Sequence, residues 1–365
     1  MPTTSGALST ANRTVGVKLD MDDAIQILTP SDVPLQQWVG SEPTNSIKVE
    51  WLEEDLTPQS DTATVVTGTG PWTVTVADGG IFRVDDVLHV RDAAPGVQFT
   101  VTAIATNDLT LAAFAGNATA PAVNNVLVII GQYKAEGGDP PTARSIEDTA
   151  KYNYTQIGQE KVQSTRTQRK RDMYGVDDPY DHELMKKFKE VAIRFERSMV
   201  NGQRAISGDN TKRFMGGLLY YITTNTSSGT KANAASLMNA LIRKCYDAGG
   251  TPRTLMVSTA VKEAISQNVD VSGRRTTRTE TTGGSVIDRF ASDFGEVEIV
   301  ANRFFPMTKG LVLQQEFITR KVFDPYFHET LAKTGDAEQG EVVGEFSLRV
   351  KNEKAHGVLT ITDAT

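Results

Sequence analysis

Cysteine is nearly missing from this 365-residue chain: Cys245 stands alone, which excludes an intrachain disulfide. Such a chain suits a reducing compartment. Cys245 itself falls in an amphipathic helical pattern, where a small buried hydrophobe is its usual role. Long apolar runs are missing too, and nothing approaches the roughly 20 residues that cross a bilayer. The opening residues, Met1–Thr10, place no basic region ahead of an apolar one. The reading therefore predicts no signal peptide and a soluble protein made in cytoplasm. Cationic excess is also lacking: 38 Lys and Arg against 45 Asp and Glu give a formal charge of -7. That excludes a global basic field for gripping nucleic acid, although it would suit a wall around packaged DNA.

The familiar marks of catalysis are scarce. Four histidines, His89, His182, His328 and His356, are scattered without ligand spacing. His182-Glu183 begins like a zinc-protease helix, but Lys186 stands where the second histidine belongs. No Gly-rich loop runs into Lys-Ser or Lys-Thr, no Gly-x-Ser-x-Gly elbow occurs, and Cys245 has no identifiable histidine partner. The acidic pairs Asp22-Asp23, Asp85-Asp86 and Asp177-Asp178 fit no calcium-loop spacing, and caps and turns explain them better. The expectation is a protein with no catalytic residue, no metal site and no cofactor.

What is present is an uneven chain. Hydrophobic residues make up 39%, at the low end for a globular protein, and they are unevenly spread. Residues 1–47 are polar, with one short amphipathic piece at Ala24–Leu28, and cannot bury much of themselves. Residues 48–58 are extended and densely acidic. Between Asp61 and Gly131 lysine disappears and Val, Thr, Ala, Gly and Asn dominate. Trp72–Val76 alternates with the strand period, and further strands are expected at Phe82–Val84, Val87–Val90, Val97–Ile104, Leu109–Ala112 and Val126–Ile130. Turn residues separate them. Five or six short strands at this spacing predict a small all-β barrel or sandwich inserted into the parent chain.

Beyond a stiff hinge at 136–141, Tyr152–Val162 has strand character. Arg166–Arg171 then places four cations in six residues. Such a run ordinarily forms a solvated face, and contact with an acidic partner is the sharper reading. The clearest helix follows. Asp178 can cap it, Pro179 suits its first position, and Leu184, Phe188, Val191, Phe195 and Met199 make one apolar stripe. Glu183 with Lys187 and Glu190 with Arg194 are spaced to pair, and Gly202 ends the helix. A second helix is expected at about 234–248, a strand at Thr254–Val257, and a short helix capped by Ser258. Residues 268–284 are read as a polar loop carrying Arg274, Arg275 and Arg278. Strands follow at Val297–Val300, Leu311–Gln315, Phe317–Phe323, Val342–Lys351 and Gly357–Ile361. The parent chain is therefore α+β with one dominant helix.

Eleven short blocks, in order, resemble a known family. They are Val49–Leu56 (VEWLEEDL), Ala135–Asp139 (AEGGD), Tyr152–Gly158 (YNYTQIG), Tyr174-Gly175, Phe195–Met199 (FERSM) running into Asn201–Gln203, Arg213–Leu218 (RFMGGL), Asp247–Gly250, Ser292–Gly295, Ala301–Phe305 (ANRFF), Lys333–Asp336 and Asn352–Gly357. The chain is similar here to tailed-bacteriophage major capsid proteins of the Hong Kong 97 fold. That resemblance implies an α+β subunit with a long spine helix, peripheral and axial domains and an extended E-loop. It implies an N-terminal arm at 1–47, E-loop legs at 48–60 and 132–165 around the inserted β domain at 61–131, and a peripheral domain with the spine helix at 166–211. An axial domain at 212–315 and peripheral return strands at 316–365 would complete it. No Lys–Asn isopeptide chemistry can be matched, and none is carried over.

The function so implied is a major capsid protein that self-assembles into an icosahedral head shell around the genome. Its partners would be itself in pentamers and hexamers, portal and scaffolding or decoration proteins, and enclosed double-stranded DNA through weak non-specific contact, with no membrane. It would be made and assembled in the host cytoplasm and end in the virion. Expected subunit-interface residues are Glu50, Glu53, Glu54, Asp55, Arg169, Lys170, Arg171, Arg274, Arg275 and Arg278, the acidic and basic blocks pairing between subunits. The alternatives are another phage structural protein (tail or decoration), or a carbohydrate-binding or enzymatic protein using Trp72 and Asp78 of the inserted module.

Overall fold

A computed structural model describes residues 33–91, 97–116, 119–171, 178–272, 276–281, 284–333 and 335–363. The expected piece at Ala24–Leu28, the pair Asp22-Asp23, Asp177, Tyr174-Gly175, Arg274 and Arg275 lie outside the described residues. Two compact units emerge, residues 52–150 and residues 1–51 with 151–365. The described chain opens with α1 (Pro34–Trp38), β1 (Gly40–Pro43) and β2 (Lys48–Glu53).

Within 52–150 run β3 (Ser60–Thr62), β4 (Val65–Thr67), β5 (Trp72–Thr75), β6 (Asp86–Val90), β7 (Gln98–Ala105), β8 (Asp108–Ala113) and β9 (Val126–Gln132). They form one sheet in the order β3-β9-β6-β7-β8-β5-β4, and every pair whose register is defined is antiparallel. Its two outermost strands are consecutive in the chain. Ala63 N donates to Asn125 O on one side, and Thr64 N donates to Thr75 O on the other. A single kinked segment thus supplies both edges, so the sheet curls round on itself as a small barrel. Alternation along each strand turns Trp72, Val74, Leu88, Val90, Phe99, Val101, Leu109, Leu111 and Leu127 inward to a core of their own.

The expected strand at Phe82–Val84 does not form. A single 3-10 turn occupies Gly79–Ile81, capped by the Asp78 carboxylate on Gly80 N at 2.9 Å. Asp86 then accepts Arg83 N at 2.8 Å, and Asp85 takes a φ of 72°, which an extended strand cannot include. Gly79 is required here, because a Cβ would collide with the Thr106 carbonyl.

After β10 (Thr149–Tyr154), β11 (Gln156–Thr165) and the short α2 (Arg166–Lys170) comes α3 (Pro179–Asn201). Asp178 caps α3 through Tyr180 N at 2.8 Å, and Gly202 closes it with its N–H on Ser198 O at 2.8 Å. The expected pairing within the helix is partly replaced. Arg194 turns to Glu160 of β11, and Glu190 is held by Lys187 at 2.7 Å. Arg194 thus bridges helix to sheet, whereas Lys187 does both: it keeps the expected Glu183 at 4.0 Å along the helix and reaches Glu160 of β11 at 3.7 Å.

Next come β12 (Ala205–Ile206), β13 (Arg213–Phe214), α4 (Leu218–Tyr221), β14 (Thr226–Gly229), α5 (Ala234–Asp247), β15 (Thr254–Val257), α6 (Thr259–Ser272), β16 (Thr276–Thr281), β17 (Gly284–Ser292), β18 (Gly295–Ala301), β19 (Lys309–Leu313), β20 (Ile318–Leu331), β21 (Ala337–Val350) and β22 (Gly357–Ile361). The polar loop expected at 268–284 is corrected: α6 continues to Ser272, and β16 and β17 pair as an antiparallel hairpin. Hydrophilic side chains hid a ladder that is made by the backbone.

Two sheets organise this unit. The first has the order β1-β20-β21-β11, and α3 packs on it through Val191, Phe195 and Met199. Gly158 of β11 makes room for Phe195, whose ring would meet any Cβ there. The second has the order β14-β22-β19-β15-β18-β17-β16, covered by Met238, Leu241 and Ile242 of α5 and Val261, Ala264 and Ile265 of α6. β20 and β21 each run 14 residues, well past the expected Phe317–Phe323 and Val342–Lys351. Their register shifts between Val322, Asp324 and Phe327, around Pro325, which has no N–H to give the ladder. β22 pairs with β14 and β19, so this last strand joins the second sheet and does not return to that of β20 and β21.

Candidate functional site

Chemistry-bearing side chains are spent on structure. Tyr180 and His328 lie 2.9 Å apart, and buried His356 accepts Gln314 N through Nδ1 at 3.2 Å. Burial pushes the Cys245 thiol up to about 12. Among the described residues no three His, Cys, Asp or Glu side chains converge as a metal site would need. Trp72 is buried and meets Phe99 edge-on at 5.5 Å, so it offers no face to a sugar.

The informative sites are those where an extended segment is tied down. Glu196 of α3 is fully buried. Its carboxylate accepts Leu35 N at 2.7 Å, Gln36 N at 3.0 Å and Asn302 Nδ2 at 2.7 Å. Gln36 Nε2 donates in turn to Ala192 O at 2.7 Å. Burial holds the Glu196 carboxyl above its ordinary value, opposed by these donors. The short α1 is thereby fixed to the long helix, and β1 continues it as a parallel edge on β20. There Glu42 takes Lys321 at 2.5 Å and Arg349 at 3.1 Å, and the Lys321 contact leads in holding its carboxyl below the usual range.

A second anchor holds the ribbon of β2 and β10. Val49 and Trp51 point inward, and Trp51 meets Tyr221 at 5.7 Å. Tyr152 lies against two cations, Lys48 at 4.4 Å and Arg204 at 3.9 Å from its ring. Its carbonyl accepts Arg204 Nη1 at 2.8 Å and Tyr221 Oη at 2.7 Å. Buried Asn153 exchanges bonds with Gly216 and donates to Leu348 O at 2.6 Å. Sequence reading missed Glu196, Asn153 and Arg204 as anchors. Only Glu196 left a signal, as a carboxylate midway along the row Ala192, Glu196, Val200 on the buried side of α3.

The charged blocks behave differently from expectation. Glu50 pairs with Lys48 in its own strand. Glu54 and Asp55 are exposed and Glu53 is half-buried. Arg169 is already engaged within the chain, by Asp178 at 3.1 Å and by Glu338, and Arg166 takes Asp336 at 2.9 Å. Lys170 and Arg171 face solvent, at least in part. The structure thus brings the basic block to the N-terminal end of α3 and balances part of it there. Arg278 lies on β16.

One long helix on a sheet of very long strands, a second sheet under two helices, and pinned extended segments match solved shell proteins along nearly the whole chain. A chain from Microbacterium phage Oxtober96 is 11% identical with a TM-score of 0.56, covering 97% of this chain and 98% of that one. The capsid of an empty GTA particle is 9% identical with a TM-score of 0.56, covering 97% and 99%. The holo-SrpI encapsulin complex of Synechococcus elongatus is 11% identical with a TM-score of 0.51, covering 99% and 97%. No curated protein sequence matches. The fold is the Hong Kong 97 type, that of a shell-building subunit. The family model of the SU10 major capsid protein matches residues 3–363, and the chain belongs to that family. It is a major capsid protein, a structural component of the virion that self-assembles to form the phage head shell.

Proposed function

We propose that the shell is built by coupling the order of extended segments to association, with pentamers and hexamers as its units. The observation that supports this most is the anchoring pattern: buried Glu196 and Asn153, with half-buried Arg204, fix the roots of segments whose continuations offer little core of their own. A rigid root whose continuation has little core of its own gains its remaining burial from neighbours, and closure holds each subunit through several contacts at once. In this reading residues 1–47 are the N-terminal arm, 48–60 and 132–165 the E-loop legs, and 61–131 an inserted domain on the outer surface. Residues 166–211 and 316–350 form the peripheral domain and 212–315 the axial domain, to whose sheet the last strand, Gly357–Ile361, is added. The blocks Glu50, Glu53, Glu54 and Asp55, and Arg169, Lys170, Arg171, Arg274, Arg275 and Arg278, lie at subunit contacts.

The protein carries no catalytic activity and needs no cofactor. Assembly takes place in the host cytoplasm, with portal and scaffolding or decoration proteins as partners. Enclosed double-stranded DNA touches the shell only weakly, as a charge of -7 implies. Electron microscopy of the purified chain tests the reading. Closed particles with five- and six-fold clusters are expected, and rings, tubes or a compact monomer at every concentration would overturn it.

A further inference from the structure

The chain leaving the barrel folds back along it. Lys134 Nζ donates to Asp139 O at 2.6 Å, and Arg144 donates through Nη1 to Ile81 O. Between this returning strap and the turn at 80–85 lies a groove of about 490 Å³. Its apolar lining comes from Val84, Ile104 and the Pro140-Pro141 pair, and Arg83, Lys134 and Arg144 stand around it, with Asp85 the one acid. The cations are conspicuous by their setting, for residues 61–131 hold no lysine and only two arginines, Arg83 and Arg91. Val84 is 47% exposed, an apolar side chain left in water.

The same chain carries a segment of complementary chemistry. Leu52–Leu56 (LEEDL) sets three carboxylates between two leucines, which are 64% and 92% exposed. In an extended segment Leu52, Glu54 and Leu56 share one side, with the leucines about 13 Å apart, while Glu53 and Asp55 face the other. Solvated leucines flanked by acids, and an open apolar groove edged with bases, are two halves of one contact. In a single subunit both stay open to water at once.

We propose that residues 52–56 of one subunit dock in the barrel groove of a second copy of this chain. The leucines lie on Val84, Ile104 and the prolines, and Glu54 between them faces Arg83, Lys134 and Arg144. This rests on the shell reading, because assembly is what brings many copies into fixed register. It gives the inserted barrel a part in holding the shell together.

The test uses the full chain with Leu56→Cys and Val84→Cys, treated with a short bismaleimide; Cys245 is buried and does not compete. Particles are expected to yield a ladder of linked subunits on denaturing gels, and neither single variant should. Particles that give no ladder, or only an internally linked monomer, overturn the docking. Arg83→Glu with Lys134→Glu should cut the ladder about tenfold, and adding Glu54→Lys should restore part of it. A ladder indifferent to both reversals also overturns the docking. Microscopy of the same samples separates the two readings: an unmodified chain that forms no shells sinks both, whereas shells without a ladder sink the docking alone.

Discussion

Glu196 of α3 accepts the backbone N–H of Leu35 at 2.7 Å across 161 residues of sequence. With Gln36 N and Asn302 Nδ2 on the same carboxylate, one side chain satisfies three donors that would otherwise be buried without an acceptor. Each such donor costs roughly 1–3 kcal/mol when orphaned. Some relief by entering water leaves an expected loss of about 3 kcal/mol for Glu196→Ala. Chemical denaturation of the unassembled subunit measures it, and a variant as stable as the parent would contradict the anchor.

Two carboxylates that hold the N-terminal segment, Glu42 within it and Glu196 on α3, should respond to acid with opposite sign. Glu42 has a lowered pKa, so its stabilising effect is present above the ordinary carboxylate value and is lost as pH falls through the folded value. Glu196 has a raised pKa, so the folded chain takes up its proton first and the cost of its buried charge is relieved as pH falls. Stability measured against pH should therefore fall less steeply in acid for Glu42→Gln and more steeply for Glu196→Gln. The Glu42 effect is the smaller, because this carboxylate is half exposed.

Gly158→Ala drives a methyl group into the edge of the Phe195 ring and to 3.2 Å from Val191 Cγ1. Overpacking of this kind costs about 1–3 kcal/mol. Thermal unfolding should show the loss, and Phe195→Leu in the same chain should recover part of it. Additive losses would mean the two sites are not in contact.

Residues 59–133 expressed alone should unfold in one cooperative transition. Trp72, their only tryptophan, reports it by fluorescence from a wholly buried setting. A sloping, non-cooperative signal would show that the barrel borrows stability from the rest of the chain.

Lys170→Glu with Arg171→Glu should depress particle yield while leaving subunit stability within about 0.5 kcal/mol of the parent. Arg169 is left in place because Asp178 and Glu338 already bind it. Normal particles from this variant would remove the block from the subunit contacts.

Where local chemistry decides the structure, the sequence was readable. Asp178, Pro179 and Gly202 bound α3 because a cap, a fixed φ and a stop act within a turn or two. Five of the barrel strands announced themselves because one side faces a core and the other faces water, as at Trp72-Thr73-Val74, whereas the three-residue β3 and β4 are too short to carry such a pattern. The far halves of β20 and β21 left no such trace. Around Pro325, His328 and Glu329 the ladder is made by backbone groups, which side-chain pattern does not record. The partners of Glu196 and Asn153 were hidden for another reason: they are backbone groups brought near only by the finished fold. Arg169 misled because opposite charges far apart in sequence, Glu338 among them, were not expected to come from its own subunit.

The chain enters the barrel at Ser60, which pairs with Val128 of the exit strand about 5 Å away, and leaves it a few residues later at Gln132. To the polypeptide on either side, the whole module is a bead on a narrow stem. A bead of any size hung there would ask nothing new of its two points of attachment. A foreign domain with adjoining termini should be graftable in its place without loss of subunit folding, so that any loss of shell cohesion in the graft reports on the groove alone.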